Sequence, residues 1–143
     1  MKKLVVDASV AVKWFVPEIR SDSAVRLLDP EISLCAPDLI LSELANTVWK
    51  KTRRNEITPQ QASEILTAFQ KLDIEILPSA DLVPAALMLA TSLGRTVYDS
   101  LYLTLAVARS TILVTADRKF HVTVKTSELA PYICWVEEDP QTP

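Results

Sequence analysis

The chain of 143 residues contains one glycine, one histidine and two cysteines. Each shortage removes a class of chemistry. Gly94 alone cannot build the glycine-rich phosphate loops GxxxxGK[ST] or GxGxxG, which need several glycines for close backbone approach to a ligand. The only histidine, His121 in ADRKFHV, has no serine elbow near it, which argues against Ser-His-Asp and Cys-His nucleophiles. A ribonuclease using two histidines as acid and base is excluded outright. Soft ligands are too few for zinc. Cys35 and Cys134 lie far apart in the apolar contexts ISLCAP and YICWVE and read as buried, reduced thiols. No apolar run approaches the ~18 residues of a bilayer span. Leu4 to Val6 is too short a run for a signal peptide. A soluble, cytoplasmic protein without a membrane partner is expected. Its chemistry, if any, must run on carboxylates.

Apolar residues make up 49% of the chain, which excludes a disordered or fibrous protein, and the length suits one domain with a real core. The net charge of -3 makes the whole molecule no magnet for nucleic acid, although a local basic patch stays open.

The apolar pattern alternates between strands and helices. KKLVVDA, ISLCAP, IEILP, TILVTAD and ICWVEE read as five short strands. Between them, SVAVKWFV and SDSAVRLLD carry helical spacing, and LILSELANTVWKKTRR places Leu41, Leu44, Ala45 and Val48 on one stripe. TPQQASEILTAFQKL begins with a capping box: Thr58 as N-cap, Pro59 first, Gln61 three after the cap. DLVPAALMLATSL tolerates Pro84 only in its first turn and ends at Gly94. TVYDSLYLTLAVARS is apolar on nearly every side and should be buried, whereas DRKFH reads as a short helical turn. Such alternation predicts an α/β fold with a parallel sheet covered on both faces, and ligands at the carboxyl ends of its strands.

Four carboxylates interrupt this pattern. Asp7 ends the first strand, Glu43 lies on LILSELANTVW, Asp99 opens the apolar helix, and Asp117 follows the fourth strand. Singly, each has a bland explanation: Asp7 and Asp117 as helix caps, Asp99 in a first turn capped by Thr96, Glu43 facing solvent. Together they are harder to dismiss, because three adjoin strongly apolar runs and two stand at strand ends on the ligand side.

At these residues the chain resembles a known family. LVVDASVAVKWF, SELANTVW, VYDSLYLTLA and LVTADRKF, in this order and each with its acid, resemble a PIN domain. More narrowly they are similar to the VapC-type toxins of toxin–antitoxin pairs. The likeness runs from Lys3 to about Glu137, so residues 1–137 are expected to form the PIN domain and residues 138–143 a polar tail. It implies a PIN-like three-layer sandwich, with a central, mostly parallel sheet of about five strands flanked by helices. The activity it implies is endoribonuclease cleavage, hydrolysing RNA phosphodiester bonds with a water activated by Mg²⁺ or Mn²⁺. The non-enzyme alternative is a catalytically inactive PIN domain that only binds RNA or protein. Carried over by position, Asp7, Glu43, Asp99 and Asp117 match the family's acidic site. Thr115 matches a hydroxyl beside the last acid, and Ser9 and Asn46 match nearby polar positions. Asp7 and Asp99 are expected as direct metal ligands; the parts of Glu43 and Asp117 stay open. The resemblance also implies a VapB-type antitoxin in a groove between the early helices, and a homodimer.

The chemistry is consistent with the residue types. Hard divalent cations prefer oxygen ligands, and no histidine is required. KKTRR is the only compact basic cluster; Lys50 and Arg54 share a helical stripe with Glu43 and Thr47. They could contact a phosphate backbone, with Arg118 and Lys119 as further candidates, or be a solvated helix end opposing the dipole. Trp14, Phe15 and Trp49 are expected in packing roles rather than as base-stacking platforms.

Overall fold

A computed structural model describes residues 1–140. The chain enters on β1 (Lys2–Val6) and turns into the short helix α1 (Ala8–Ala11), which tightens into a 3₁₀ turn over Val12–Trp14. Next come α2 (Ser21–Val25), β2 (Ile32–Pro37), α3 (Leu39–Arg53), α4 (Pro59–Gln70) and β3 (Ile74–Leu77). The second half holds α5 (Val83–Leu93), α6 (Val97–Ala108), β4 (Ile112–Thr115), α7 (Arg118–Lys125) and β5 (Ile133–Trp135).

All the strand pairings are parallel, in the order β3-β2-β1-β4-β5, with Val5 opposite both Cys35 and Leu113. Successive strand residues point to opposite faces, so the burial of Leu4, Val5 and Val6 in a row requires cover on both sides. This gives three layers, as the alternating pattern implies. The sheet grows from β1 first toward β2 and β3, then on the other side toward β4 and β5. The strand order therefore reverses between β1 and β4. That switch point leaves an open crevice beyond the carboxyl ends of those two strands.

The local rules hold where their chemistry is strong. Thr58 and Gln61 make the reciprocal capping box, with Pro59 at the first helical position. Gly94 ends α5 at φ 67°, a left-handed conformation that a side chain would strain. On α6, Ser100 to Ala106 are buried without a break.

Three expectations need correction. DRKFH is the start of an eight-residue helix, α7, because Phe120, His121 and Val124 are buried along it. That packing overrides the low helix propensity of its β-branched residues. The fifth strand is shorter than ICWVEE. Val136 N–H still donates to the Thr115 carbonyl, but Glu138 N–H folds back onto Trp135. Trp49 is exposed, with the Arg53 guanidinium over its ring at 5.4 Å, whereas Trp14 packs as expected, stacked on Phe69. Of the tail, Lys2 donates to the Pro140 carbonyl, and residues 141–143 lie outside the described residues.

Candidate active site

Asp7 is the first residue past β1, and its carboxylate is tied to β4 on the far side of the crevice. Thr115 Oγ1 donates to Asp7 Oδ2 at 2.5 Å, and Ser9 Oγ donates to Oδ1. Ser9 Oγ in turn accepts from Ala116 N–H at 2.9 Å, and Thr115 Oγ1 from Asp117 N–H at 3.1 Å. Asp7 also caps α1 through Val10 N–H. Every one of these partners is neutral, and Asp7 is only 6% exposed. Burial consequently pushes its carboxyl up to about 6, with the hydrogen bonds from Ser9, Thr115 and Val10 holding it down and the Glu43 charge adding to the rise.

Asp99 and Asp117 occupy the starts of α6 and α7. Thr96 caps α6 through Asp99 N–H, and Asp117 Oδ1 caps α7 through Phe120 N–H. The other oxygens face one guanidinium. Arg95 reaches Asp99 Oδ2 at 2.8 Å and Asp117 Oδ2 at 3.2 Å. Glu43 approaches from α3, half-buried; burial raises its carboxyl and the Asp99 charge adds to the rise. The Tyr102 hydroxyl, on a side chain 1% exposed, faces Glu43 and opposes that rise, yet falls short of a well-formed hydrogen bond. Burial and the charges of Glu43, Asp7 and Asp99 drive the phenol's pKa far upward, so it stays a protonated donor.

All four acids line one cavity of about 360 Å³ at the switch point, together with Ser9, Thr47 and Tyr102. The capping explanations for Asp7 and Asp117 are thus correct and incomplete, since a cap uses one oxygen and leaves the rest of the carboxylate for other partners. Thr115 stands directly behind Asp7. Asn46 is exposed and does not line the cavity. Lys50 on α3 and Arg54 at its C-cap are exposed beyond the cavity. Arg118 stacks over Trp135 at 3.8 Å, with the Arg20 guanidinium at 5.1 Å from the same ring. Sequence reasoning missed Lys13, Glu18, Tyr102 and Arg95. Tyr102, three residues after Asp99 on α6, could have been found by helical spacing. Lys13 reaches the cavity from the 3₁₀ turn after α1, and Glu18 from non-helical chain that no periodicity predicts. His121, expected as an ordinary turn residue, is buried against Trp135, outside the acid-lined cavity, and neither ring nitrogen has a hydrogen-bond partner among the described residues.

The donor set is all oxygen, which suits a hard divalent cation. Among the described residues no three carboxylates converge tightly enough to form a cage by themselves. Mg²⁺ does not need one, since it keeps several waters and is usually held by one or two carboxylates. The residues therefore fit such an ion.

Residues 4–125 match the family model of the PIN domain. Ribonuclease VapC3 of Pyrobaculum aerophilum is 36% identical over 119 residues, 82% of this chain and 91% of that protein. Among solved structures, PAE2754 from the same organism superposes with a TM-score of 0.70 at 25% identity, covering 95% of this chain and 85% of that one. Mycobacterium tuberculosis VapC20, a Sarcin-Ricin loop cleaving toxin, shares the fold at a TM-score of 0.66 and 15% identity, covering 83% and 93%. So does a chain of VapBC2 from Rickettsia felis, solved bound to a DNA fragment from their promoter: TM-score 0.64, 16% identity, covering 93% and 98%. The sheet order, the acids at its switch point and a relative of this identity along four-fifths of the sequence agree: the chain belongs to the PIN-domain family.

Proposed function

We propose that the protein is a metal-dependent endoribonuclease, the toxin of a VapBC-type pair, which hydrolyses RNA phosphodiester bonds with water. The observation that carries this is the meeting of Asp7, Glu43, Asp99 and Asp117 in one cavity at the switch point of a parallel sheet. The similarity to a ribonuclease VapC supports it. Asp7 and Asp99 would hold Mg²⁺ or Mn²⁺ directly, with Glu43 and Asp117 beside them. Such an ion supplies charge for the scissile phosphate and a water of lowered pKa. Ser9 and Thr115 fix the Asp7 carboxylate from both sides, so its oxygens are oriented before any ligand arrives. Tyr102 offers a buried O–H donor on the cavity wall.

RNA would reach this cavity along exposed cations. Arg118 adjoins Asp117 and is held flat by Trp135, and Lys50 and Arg54 continue α3 away from Glu43. These contacts would position a backbone without specifying sequence. The antitoxin would occupy a groove of about 880 Å³ between the Phe15–Glu18 segment and the α3–α4 hairpin. Its floor is apolar (Phe15, Val16, Ile57, Ile65), and its charged residues are Glu18, Glu56 and Glu64 against Lys51 alone. An apolar segment carrying basic residues fits that balance. Glu18 lines both groove and catalytic cavity, so a bound segment would reach the mouth of the site. The exposed Val83, Leu87, Met88 and Tyr98 on α5 and α6 offer a face for a homodimer. No helix among the described residues is long and apolar enough to cross a membrane, and a cytoplasmic location suits the two unpaired, buried thiols.

The Arg95 bridge, which already occupies two of the acids, favours a second reading: a PIN domain that only binds. Incubating purified protein with RNA separates the two. Cleavage with Mn²⁺ or Mg²⁺ that stops with chelator supports the nuclease. RNA retention without cleavage at any metal concentration supports the binding module.

A further inference from the structure

Arg95 is the middle residue of a three-residue bend between helices. Gly94 ends α5 in a left-handed turn and Thr96 caps α6, so the side chain between them is aimed across the starts of α6 and α7. Its Nε and Nη2 lie 3.1 and 2.8 Å from Asp99 Oδ2, and Nη2 lies 3.2 Å from Asp117 Oδ2. The guanidinium also rests over the Phe120 ring at 5.3 Å. An exposed ion pair would contribute little. This one is different, because Arg95 is only 21% exposed, it spans two carboxylates of one cavity, and a buried ring fixes its position.

We propose that Arg95 is an internal counter-cation that competes with the divalent metal for Asp99 and Asp117. The proposal rests on the metal-site reading above. In the metal-free protein one positive charge offsets two carboxylates that would otherwise repel each other. A divalent ion bound through Asp99 Oδ2 must displace the Arg95 fork, and one bound through Oδ1 must tolerate its charge nearby. Arg95 thus sets the ion concentration at which the site fills, and keeps the acids ordered below that concentration.

The test is titration of the full-length, metal-stripped protein with Mn²⁺ by calorimetry, for wild type, Arg95→Ala, Arg95→Gln and Arg95→Lys. Removing the charge in Arg95→Ala or Arg95→Gln should tighten Mn²⁺ binding by about tenfold or more, because a like charge within a few ångströms is gone. Arg95→Lys, which keeps the charge, should stay near wild type. Without metal, Arg95→Ala should melt below wild type, and saturating Mn²⁺ should close most of that gap. A residue that merely supports the fold would give the opposite sign, since a loosened site binds more weakly. Equal or weaker Mn²⁺ binding by both neutral variants, with wild type still binding, overturns the competitor role and leaves the metal reading intact. Absence of Mn²⁺ binding in every protein overturns both.

Discussion

Asp7 and Asp99 are the same side chain in one cavity, and the fold treats them in opposite ways. Asp7 is buried where two strands end, and its partners are hydroxyls and an amide. Asp99 sits at a helix start, partly open, against an arginine. Neutral donors orient a carboxylate without cancelling its charge, so the Asp7 half carries an electrostatic cost that a bound cation would relieve. In the Asp99 half, Arg95 already offsets it. The acidic site is thus two devices, a rigid one whose hydrogen-bond partners are all neutral and one already paired with a cation.

The largest expected effect is shared by both halves. Asp7→Asn and Asp99→Asn should each lower RNA cleavage by at least about 10²–10³-fold, measured under single-turnover conditions, because each removes charge from the ion's surroundings. Stability in chelator should separate them. Asp7→Asn should be more stable than wild type at pH 7, by up to about 3 kcal/mol from a shift of 3.8 to about 6. Asp99→Asn should gain nothing or melt lower, because Arg95 loses a partner. Four mutually repelling carboxylates would make any neutralisation stabilising; the Arg95 bridge confines that gain to Asp7 and Glu43, the two acids it does not touch.

The pH dependence sharpens the contrast. A folded pKa above the unfolded value means that the native state holds the proton more tightly, so Asp7's contribution is fully present below pH ~4 and is lost as pH rises through about 6. The advantage of Asp7→Asn in denaturant melts should therefore disappear by pH 4. Thr115→Val is the next smaller test. It leaves Asp7 Oδ2 buried without its donor and should cost about 1.5–3 kcal/mol of stability at pH 7, where Asp7 is ionised. A loss no greater than an exposed Thr→Val change would mean that Thr115 does not hold the site. The smallest effect belongs to the basic stripe. Lys50→Ala with Arg54→Ala should weaken RNA binding and reduce its salt slope by about 1–2 phosphate contacts without moving cleavage positions. An unchanged slope would return KKTRR to a solvated helix end.

The architecture was legible because strong local signals agreed with the global pattern. Valine-rich strands ended by Asp7 and Asp117, the Thr58 capping box and the Gly94 terminator all point the same way. The acids could be read for the same reason: a carboxylate against an apolar run is conspicuous. Arg95 was not, although it stands four residues before Asp99. It lies outside α6, ahead of the Thr96 cap, so helical spacing says nothing about where it points. Asn46, a motif position carried over, faces solvent beside the cavity, because likeness of a motif says nothing of which way the helix surface faces. His121 shows a further limit. It reads as an ordinary residue of the short turn DRKFH, but α7 packs its ring against Trp135.

The central proposal is that a divalent ion held by these carboxylates, with no histidine, directs a water to the phosphate, and the ends of the cleaved RNA test it most directly. Attack by the RNA's own 2′-hydroxyl leaves a cyclic phosphate and commonly uses histidines, and His121 lies outside the acid-lined cavity. Attack by water in line with the departing 3′ oxygen leaves a 5′-phosphate and a free 3′-hydroxyl. Mass spectrometry of products formed with Mn²⁺ should find those ends, and cleavage should continue at a linkage whose 2′-hydroxyl is replaced by hydrogen, provided that substrate still binds. Cyclic 2′,3′-phosphate ends, or cleavage that persists in chelator, would contradict the account.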